Sequence, residues 1–192
     1  MPLPFVKKPL KKAVLKEYEE MTFFTKNEIL RIYKRWAKLY EKKHGKITDE
    51  QLEAVDYIEP ADVQTIPELT LNPFVLRFCE IFSENGTGNL RFDEFLNFLS
   101  SMSEAAPREV KAQTAFRLYD FDNDGYISAE DVKKAVNMLT DSQLNEDDLE
   151  IVASRVLGEV DLDGDRLLSF EELNRILEQI PDFKYLFNIS LV

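Results

Sequence analysis

The chain has 192 residues, of which 44% are hydrophobic and 31% are charged, and its formal net charge is -12. This composition suits one compact domain or two small lobes, and it argues against a disordered tail or a membrane-spanning protein. The acidity argues against nucleic acid as a partner, because its phosphates would repel this surface. A single cysteine and the lack of a signal-peptide core at the N-terminus predict a cytoplasmic protein without intramolecular disulfides.

Residues 1–20 are predicted to form a basic N-terminal extension and a first helix. The extension is rich in lysine; we interpret it as a disordered arm, and contact with anionic lipid is the alternative. A second helix is predicted to begin at a capping box formed by Thr25 and Glu28. Residues 37–46, which follow its apolar stripe, carry no set of cation ligands, so we interpret this first EF-hand as vestigial. The stripe consists of Ile29, Ile32, Tyr33 and Trp36.

A helix–loop–helix frame recurs three more times, with loops that begin at Ser83, Asp120 and Asp161. In each copy apolar residues flank the loop at the spacing i, i+3, i+4, i+7, which is one stripe of a helix. One helix–loop–helix cannot bury its own stripe, so the predicted fold is all-α, with four EF-hand units in two lobes. Position 8, whose backbone bridges paired loops, is apolar in all three copies: Leu90, Ile127 and Leu168.

This frame predicts an N-terminal lobe with two vestigial hands over residues 21–103. A C-terminal lobe with two cation-binding hands covers residues 104–180, and a C-terminal segment, in which an apolar helix is predicted, covers residues 181–192. Asn72 and Pro73 are predicted as the N-cap and first residue of a helix. Pro107 is predicted to start the entering helix of the third hand.

The third loop, residues 120–131, has acids at positions 1, 3 and 5 and glycine at position 6, the pattern of an EF-hand loop. At position 12, Asp131 is one methylene shorter than the usual glutamate and reaches a cation with one oxygen more easily than with two. About six ligands favour octahedral Mg2+ over seven-coordinate Ca2+. We expect the loop to bind both ions, with Mg2+ at resting calcium; an acidic turn without metal is the alternative. The predicted ligands are Asp120, Asp122, Asp124, the Tyr126 carbonyl, Ser128 or a water that it holds, and Asp131.

The fourth loop, residues 161–172, ends in the glutamate that suits Ca2+. Arg166 stands at position 6, where glycine is expected, and a non-glycine residue at positive φ costs roughly 1–2 kcal/mol. Its guanidinium can point to solvent, so we expect the site to be weakened rather than abolished. The predicted ligands are Asp161, Asp163, Asp165, the Leu167 carbonyl, Ser169 through a water, and Glu172.

The second loop, residues 83–94, keeps the apolar frame but lacks the acids. One carboxylate and one cation cannot replace the hydration shell of Ca2+, so we expect a structural hand. Its ligand positions hold Ser83, Asn85, Thr87, Arg91 and Glu94.

A partner surface is predicted from aromatic richness and from the tail. Most of the 14 phenylalanines are expected in the core, as is Cys79, but a paired-hand lobe tends to leave an apolar groove that captures a helix. Only 4 methionines favour a narrow set of targets. The tail, residues 181–192, is too apolar for water; it can be a core helix, an interface or a displaceable plug.

Several separated motifs resemble the calcium-and-integrin-binding (CIB) family. Two vestigial hands, aspartate at the end of the third loop and glutamate at the end of the fourth are shared features. The resemblance covers roughly residues 13–192. Within the family, the sequence is similar in particular to members linked to transmembrane channel-like (TMC) mechanotransduction channels. The motifs are MTFFTKNEIL at 21–30, PEL at 67–69, NPF at 72–74, SEAAPRE at 103–109, YDFD at 119–122 and PDF at 181–183.

This resemblance implies a regulatory adaptor that grips an amphipathic helix from the cytosolic segment of a membrane protein, such as an integrin α tail or a TMC channel subunit. It also implies a place at the plasma membrane through that partner, and a C-terminal segment that occupies the groove when no partner is bound. Pro2 stands where many relatives have the glycine that accepts a myristoyl group, so we expect no N-myristoylation. A cytosolic calcium buffer is the alternative, and no catalytic motif suggests an enzyme.

Overall fold

The computed structural model of the protein describes residues 12–45 and 57–189. In these two ranges it consists of ten α-helices and two isolated β-bridges, which confirms the prediction of an all-α fold. None of the helices in the described ranges is long and apolar enough to cross a membrane. The helices are α1 Lys12–Met21, α2 Lys26–His44, α3 Pro60–Gln64, α4 Val75–Phe82, α5 Phe92–Ser101, α6 Arg108–Tyr119, α7 Ala129–Leu139, α8 Glu146–Val160, α9 Phe170–Glu178 and α10 Phe183–Leu186.

Helix α2 begins where the sequence predicts and ends later. The backbone N of Thr25 donates to the Glu28 carboxylate at 2.7 Å, which confirms the capping box. Residues 37–44, expected to follow the helix, are its last two turns, because the apolar stripe continues through Ala37 and Tyr40, both buried. The basic stretch at residues 1–11 and the segment 46–56 lie outside the described residues.

The first hand pairs with the second through Ile58, a residue that the sequence pattern did not reveal. Ile58 and Leu90 exchange two backbone hydrogen bonds of 2.9 Å, as paired EF-hand loops do. Gly88 of the second loop has φ +79° and lies close to Pro60 of the first hand. A Cβ at position 88 would be 2.9 Å from Cγ of Pro60. The two vestigial hands therefore form a closely packed pair.

Two predicted helix starts are shifted in the structure. Helix α4 begins at Val75, not at Pro73, because the Asn72 side chain accepts a hydrogen bond from the backbone N of Phe74 at 2.9 Å and forms a turn before the helix. Pro107 is the N-cap of α6 rather than its first residue.

The phenylalanines of the second hand are mainly core residues, which confirms the expectation for most of them. Phe78, Phe95 and Phe98 are buried, and Phe82 is half-buried. Cys79 is fully buried, and its burial raises the thiol pKa to about 12, so it is an unreactive core residue.

In the C-terminal half, the third and fourth loops face each other. Ile127 and Leu168 exchange two backbone hydrogen bonds of 2.9 Å, and both side chains are buried. Lys133 of α7 contacts Glu146 at 3.3 Å and Glu150 at 2.5 Å, both on α8. The two candidate metal loops are therefore fixed side by side.

Candidate metal centres

The third loop brings together the three aspartates at positions 1, 3 and 5. Oxygens of Asp120, Asp122 and Asp124 lie within 4.8 Å of one another. Asp120 is buried and accepts hydrogen bonds from the backbone N of Asp124 at 3.2 Å and of Gly125 at 3.1 Å. Burial raises the pKa of Asp120, since the charged form is desolvated. A cation at this point would stabilise that charge.

The fourth loop has the same arrangement. Oxygens of Asp161, Asp163 and Asp165 lie within 4.8 Å of one another. Asp161 accepts hydrogen bonds from the backbone N of Gly164 at 2.7 Å and of Arg166 at 2.8 Å. Arg166 has φ +65°, the left-handed conformation that the sequence predicted for position 6.

Both aspartate clusters fit a hard divalent cation, which prefers several oxygen ligands around one point. The remaining predicted ligands lie in the same loops. Tyr126 and Leu167 each donate their backbone N to the position-5 aspartate at 2.8 Å. Ser128 and Ser169 each donate their hydroxyl to the position-12 carboxylate at 2.7 Å. The assignment of these residues as ligands remains a prediction.

The carboxylates at position 12 join the two ends of their loops. Glu172 accepts from the backbone N of Leu162 and of Ser169, both at 2.9 Å, and these bonds lower the pKa of the Glu172 carboxyl. Asp131 accepts from the corresponding positions, Phe121 at 3.2 Å and Ser128 at 3.0 Å. The shorter side chain therefore spans the same two ends with longer hydrogen bonds.

Glu94 likewise joins the two ends of the second loop. It accepts from the backbone N of Glu84 and of Arg91, both at 2.7 Å. Ser83 and Thr87 both donate their hydroxyls to Asn85 Oδ1 at 2.7 Å, where the other loops have carboxylates. The second loop is therefore closed by its own hydrogen bonds.

Two basic side chains near the third loop, Lys134 and Arg77, were not predicted from the sequence. Lys134 Nζ lies 3.8 Å from Asp131 Oδ1 and 5.7 Å from the centroid of the Phe121 ring. Arg77, from α4, donates to Asn123 in this loop at 3.2 Å. Only the spacing i, i+3 from Asp131 to Lys134 could have been noticed in advance.

The C-terminal segment fills a groove between α6 and α9. Phe183 is 3% exposed and packs with Ala112 and Ala115 of α6 and Leu177 of α9. Phe187 and Ile189 contact the large core of the N-terminal half, and the backbone N of Ile189 donates to the Met102 carbonyl at 2.8 Å. Phe183 is thus buried while Tyr185 is exposed, and the segment contacts both halves of the chain.

Lys111 of α6 holds this segment by a polar contact that the sequence did not suggest. Its side chain is fully buried, and Nζ donates to the carbonyls of Lys184 at 3.1 Å and Phe187 at 2.7 Å and to the side chain of Asn188. Burial lowers the Lys111 pKa to about 8, so the ammonium is still charged at neutral pH. Its three N–H donors match the three oxygens around it.

The loops and their flanking helices define an EF-hand protein, and residues 109–178 match the family model of an EF-hand domain pair. The chain is 40% identical over 184 residues to calcium and integrin-binding family member 2 of Danio rerio and 39% identical over 179 residues to that of Drosophila melanogaster. Calcium and integrin-binding family member 3 of Homo sapiens is 39% identical over 184 residues. Each alignment covers 92% of this chain and 94% of the relative.

The chain therefore belongs to the calcium and integrin-binding family, as the resemblance of its motifs predicted. This is an EF-hand regulatory family and not an enzyme family. The names of the three relatives state that they bind calcium and integrin.

Proposed function

We propose that the protein is a Ca2+- and Mg2+-binding regulatory adaptor that captures an amphipathic cytosolic helix of a membrane protein. It works in the cytoplasm, peripheral to the plasma membrane through this partner. The observation that carries the proposal is the groove between α6 and α9, in which Phe183 of the chain's own C-terminal segment is buried. An amphipathic helix of another protein can occupy such a groove in the same way.

Metal binding is supported by the two aspartate clusters and by the relatives' names. We propose Ca2+ for the fourth loop, because Glu172 has the length for bidentate coordination. For the third loop we propose both Ca2+ and Mg2+, because the shorter Asp131 favours six ligands. The proposed ligands are those at positions 1, 3, 5, 7, 9 and 12 of each loop.

The class of partner is proposed from the relatives and from motif resemblance. The relatives' names support an integrin tail. The resemblance of the motifs to TMC-linked members supports a TMC channel subunit, for which the protein would be an auxiliary subunit in mechanotransduction. Both partners would present an amphipathic helix on the cytosolic side of a membrane.

The C-terminal segment is proposed to be a displaceable occupant of the groove. Its helix α10 has only four residues, so it has little stability apart from its contacts. A cleft of about 560 Å³ opens beside the segment and is lined in part by Phe23, Phe24, Lys184 and Ile189. A longer partner helix could therefore extend beyond the space that α10 occupies.

Calorimetry with a peptide from an integrin α tail or a TMC channel tests this proposal. Peptide affinity should rise about tenfold on deletion of residues 181–192, because the groove is then free in every molecule. If neither peptide binds, in Ca2+ or in Mg2+, even to the truncated chain, the adaptor function is wrong. Ion binding without peptide binding would instead indicate a calcium buffer.

Lys111→Met tests the anchoring of the segment. Loss of the ammonium should raise amide hydrogen exchange in residues 183–189 about tenfold, because it removes charge-assisted hydrogen bonds. Lys16→Met is the matched control, since it removes the same charge from an exposed side chain on α1. Unchanged exchange in Lys111→Met would show that apolar packing alone holds the segment.

A further inference from the structure

Arg77 extends from the metal-free second hand to the backbone of the third loop. It lies on α4, its side chain is buried, and its guanidinium carbon is 5.2 Å from the centroid of the Phe121 ring. Nη2 donates to the carbonyl of Arg117 at 3.1 Å, to the carbonyl of Asp120, and to Asn123 Oδ1 at 3.2 Å. Asp120 and Asn123 are positions 1 and 4 of the third loop.

A second arginine makes the reciprocal contact. Arg117 of α6 donates Nη2 to the carbonyl of Ile81, in the last turn of α4, and lies 5.5 Å from the centroid of the Phe82 ring. Each guanidinium thus binds carbonyls at the C-terminal end of the other helix. Those carbonyls have no partner within their own helix, and they carry the negative end of the helix dipole.

The burial of Arg77 has an energetic cost, since its Nε is buried without a hydrogen-bond acceptor among the described residues. The contacts of Nη2 offset that cost, and two of them are made to residues of the third loop. Asn123, which accepts one of them, has φ +58°, a left-handed conformation that is uncommon outside glycine. Arg77 therefore contacts the residue at which the loop backbone adopts the left-handed conformation.

The conformation of Asn123 determines where the next two residues point. The backbone N of Asp124 and of Gly125 follow it, and both donate to the carboxylate of Asp120 inside the loop. Asp120 thus links Arg77 to the cluster: its backbone carbonyl accepts from Arg77, and its carboxylate is part of the aspartate cluster. In the fourth loop, position 4 is Gly164, which has no side chain to accept such a bond.

We propose that Arg77 is a positioning residue of the third metal loop, so that the second hand, which has no ligand set of its own, sets the metal affinity of the third. This inference rests on the proposed metal binding. The loop is held in its closed conformation before the ion arrives, so less ordering is required on binding. Without the guanidinium, Asn123 and the carbonyl of Asp120 lose their support, and the bound ion must order the loop.

The test measures the two loops separately. Glu172→Gln weakens the fourth loop, so that ion binding in this background reports the third loop. Asp120→Asn weakens the third loop, so that ion binding in this background reports the fourth. In each background Arg77→Lys, which keeps the charge but loses the forked donors, is titrated with Ca2+ and Mg2+ by calorimetry. Affinity should fall about tenfold at the third loop and stay unchanged at the fourth.

Terbium luminescence gives a second measurement. Tyr126 is at position 7 of the third loop, whereas the fourth loop has Leu167 there, so tyrosine-sensitised emission reports the third loop. The Tb3+ titration of Arg77→Lys should shift by the same factor as the calorimetry. Arg35→Lys is the control, because Arg35 makes its guanidinium contacts elsewhere in the N-terminal lobe, with Glu68 at 2.7 and 2.8 Å.

Asn123→Gly provides a test that does not depend on the folding of a buried arginine variant. It removes the acceptor from an exposed loop position and keeps a residue that tolerates positive φ. It should lower the affinity of the third loop by less than Arg77→Lys does, and the double variant should bind no more weakly than Arg77→Lys alone. An equal fall at both loops, or full affinity at the third loop of Asn123→Gly and Arg77→Lys, would overturn the role of Arg77. No ion binding by the unsubstituted chain would instead refute the proposed metal sites.

Discussion

The second and fourth loops have the same frame and different chemistry. Glu94 and Glu172 each join the two ends of their loop, by backbone hydrogen bonds of 2.7 Å in the second and 2.9 Å in the fourth. Inside the loop, the second has hydroxyls that donate to Asn85, whereas the fourth has three aspartates whose charges repel one another. Closure of an EF-hand loop and attraction of a cation are therefore separate properties.

The largest expected effect comes from the matched pair Glu172→Gln and Glu94→Gln. Glu172→Gln should weaken Ca2+ binding at the fourth loop about a hundredfold, because it removes a charged ligand. Glu94→Gln should leave both ion affinities unchanged. Calorimetric titration of the two variants checks this, and an equal loss in both would mean that loop closure, not charge, controls affinity.

Asp131→Glu comes next and sharpens the comparison within the C-terminal lobe. The longer side chain can supply two oxygens, so the ratio of Ca2+ to Mg2+ affinity at the third loop should rise about tenfold. Competition titrations of Ca2+ against Mg2+ measure this ratio. If Mg2+ does not compete in the unsubstituted chain, the inference drawn from Asp131 is wrong.

Arg166→Gly should produce a smaller gain. Removing a side chain from a residue at φ +65° relieves a strain of about 1 kcal/mol, so Ca2+ affinity at the fourth loop should rise up to about fivefold. Calorimetric titration of the fourth loop with Ca2+ measures this gain. A weaker site would show that the guanidinium supports the loop rather than straining it.

Gly88→Ala tests the corresponding position of the second loop and should have no effect on ion affinity. Glycine there is required by φ +79° and by the contact with Pro60, so alanine should reduce the free energy of unfolding by about 1–2 kcal/mol. Denaturant unfolding measures this loss. A change in Ca2+ affinity instead would show that the first two hands control the C-terminal loops more widely than through Arg77.

The repeat predicted most of the fold. The helices around the second, third and fourth loops follow from apolar spacing, and the loops themselves from acids and glycines at set positions. The first hand was harder, because α2 continues through residues 37–44 to its C-cap, Gly45, and no set of cation ligands follows it to mark a loop. Ile58, its pairing residue, stands in a segment where no ligand pattern provides the register.

By itself, the sequence determined the local features: the helical stripes, the two aspartate clusters, the left-handed position of Arg166 and membership of the calcium and integrin-binding family. These depend on residues close together in the chain, whose spacing sets their geometry. Only the tertiary structure decided the contacts of Lys111 with the C-terminal segment and of Arg77 with the third loop. Both join side chains to backbone carbonyls about 40 or more positions away. Every residue has a carbonyl, so the sequence carries no mark of which ones a buried cation will reach.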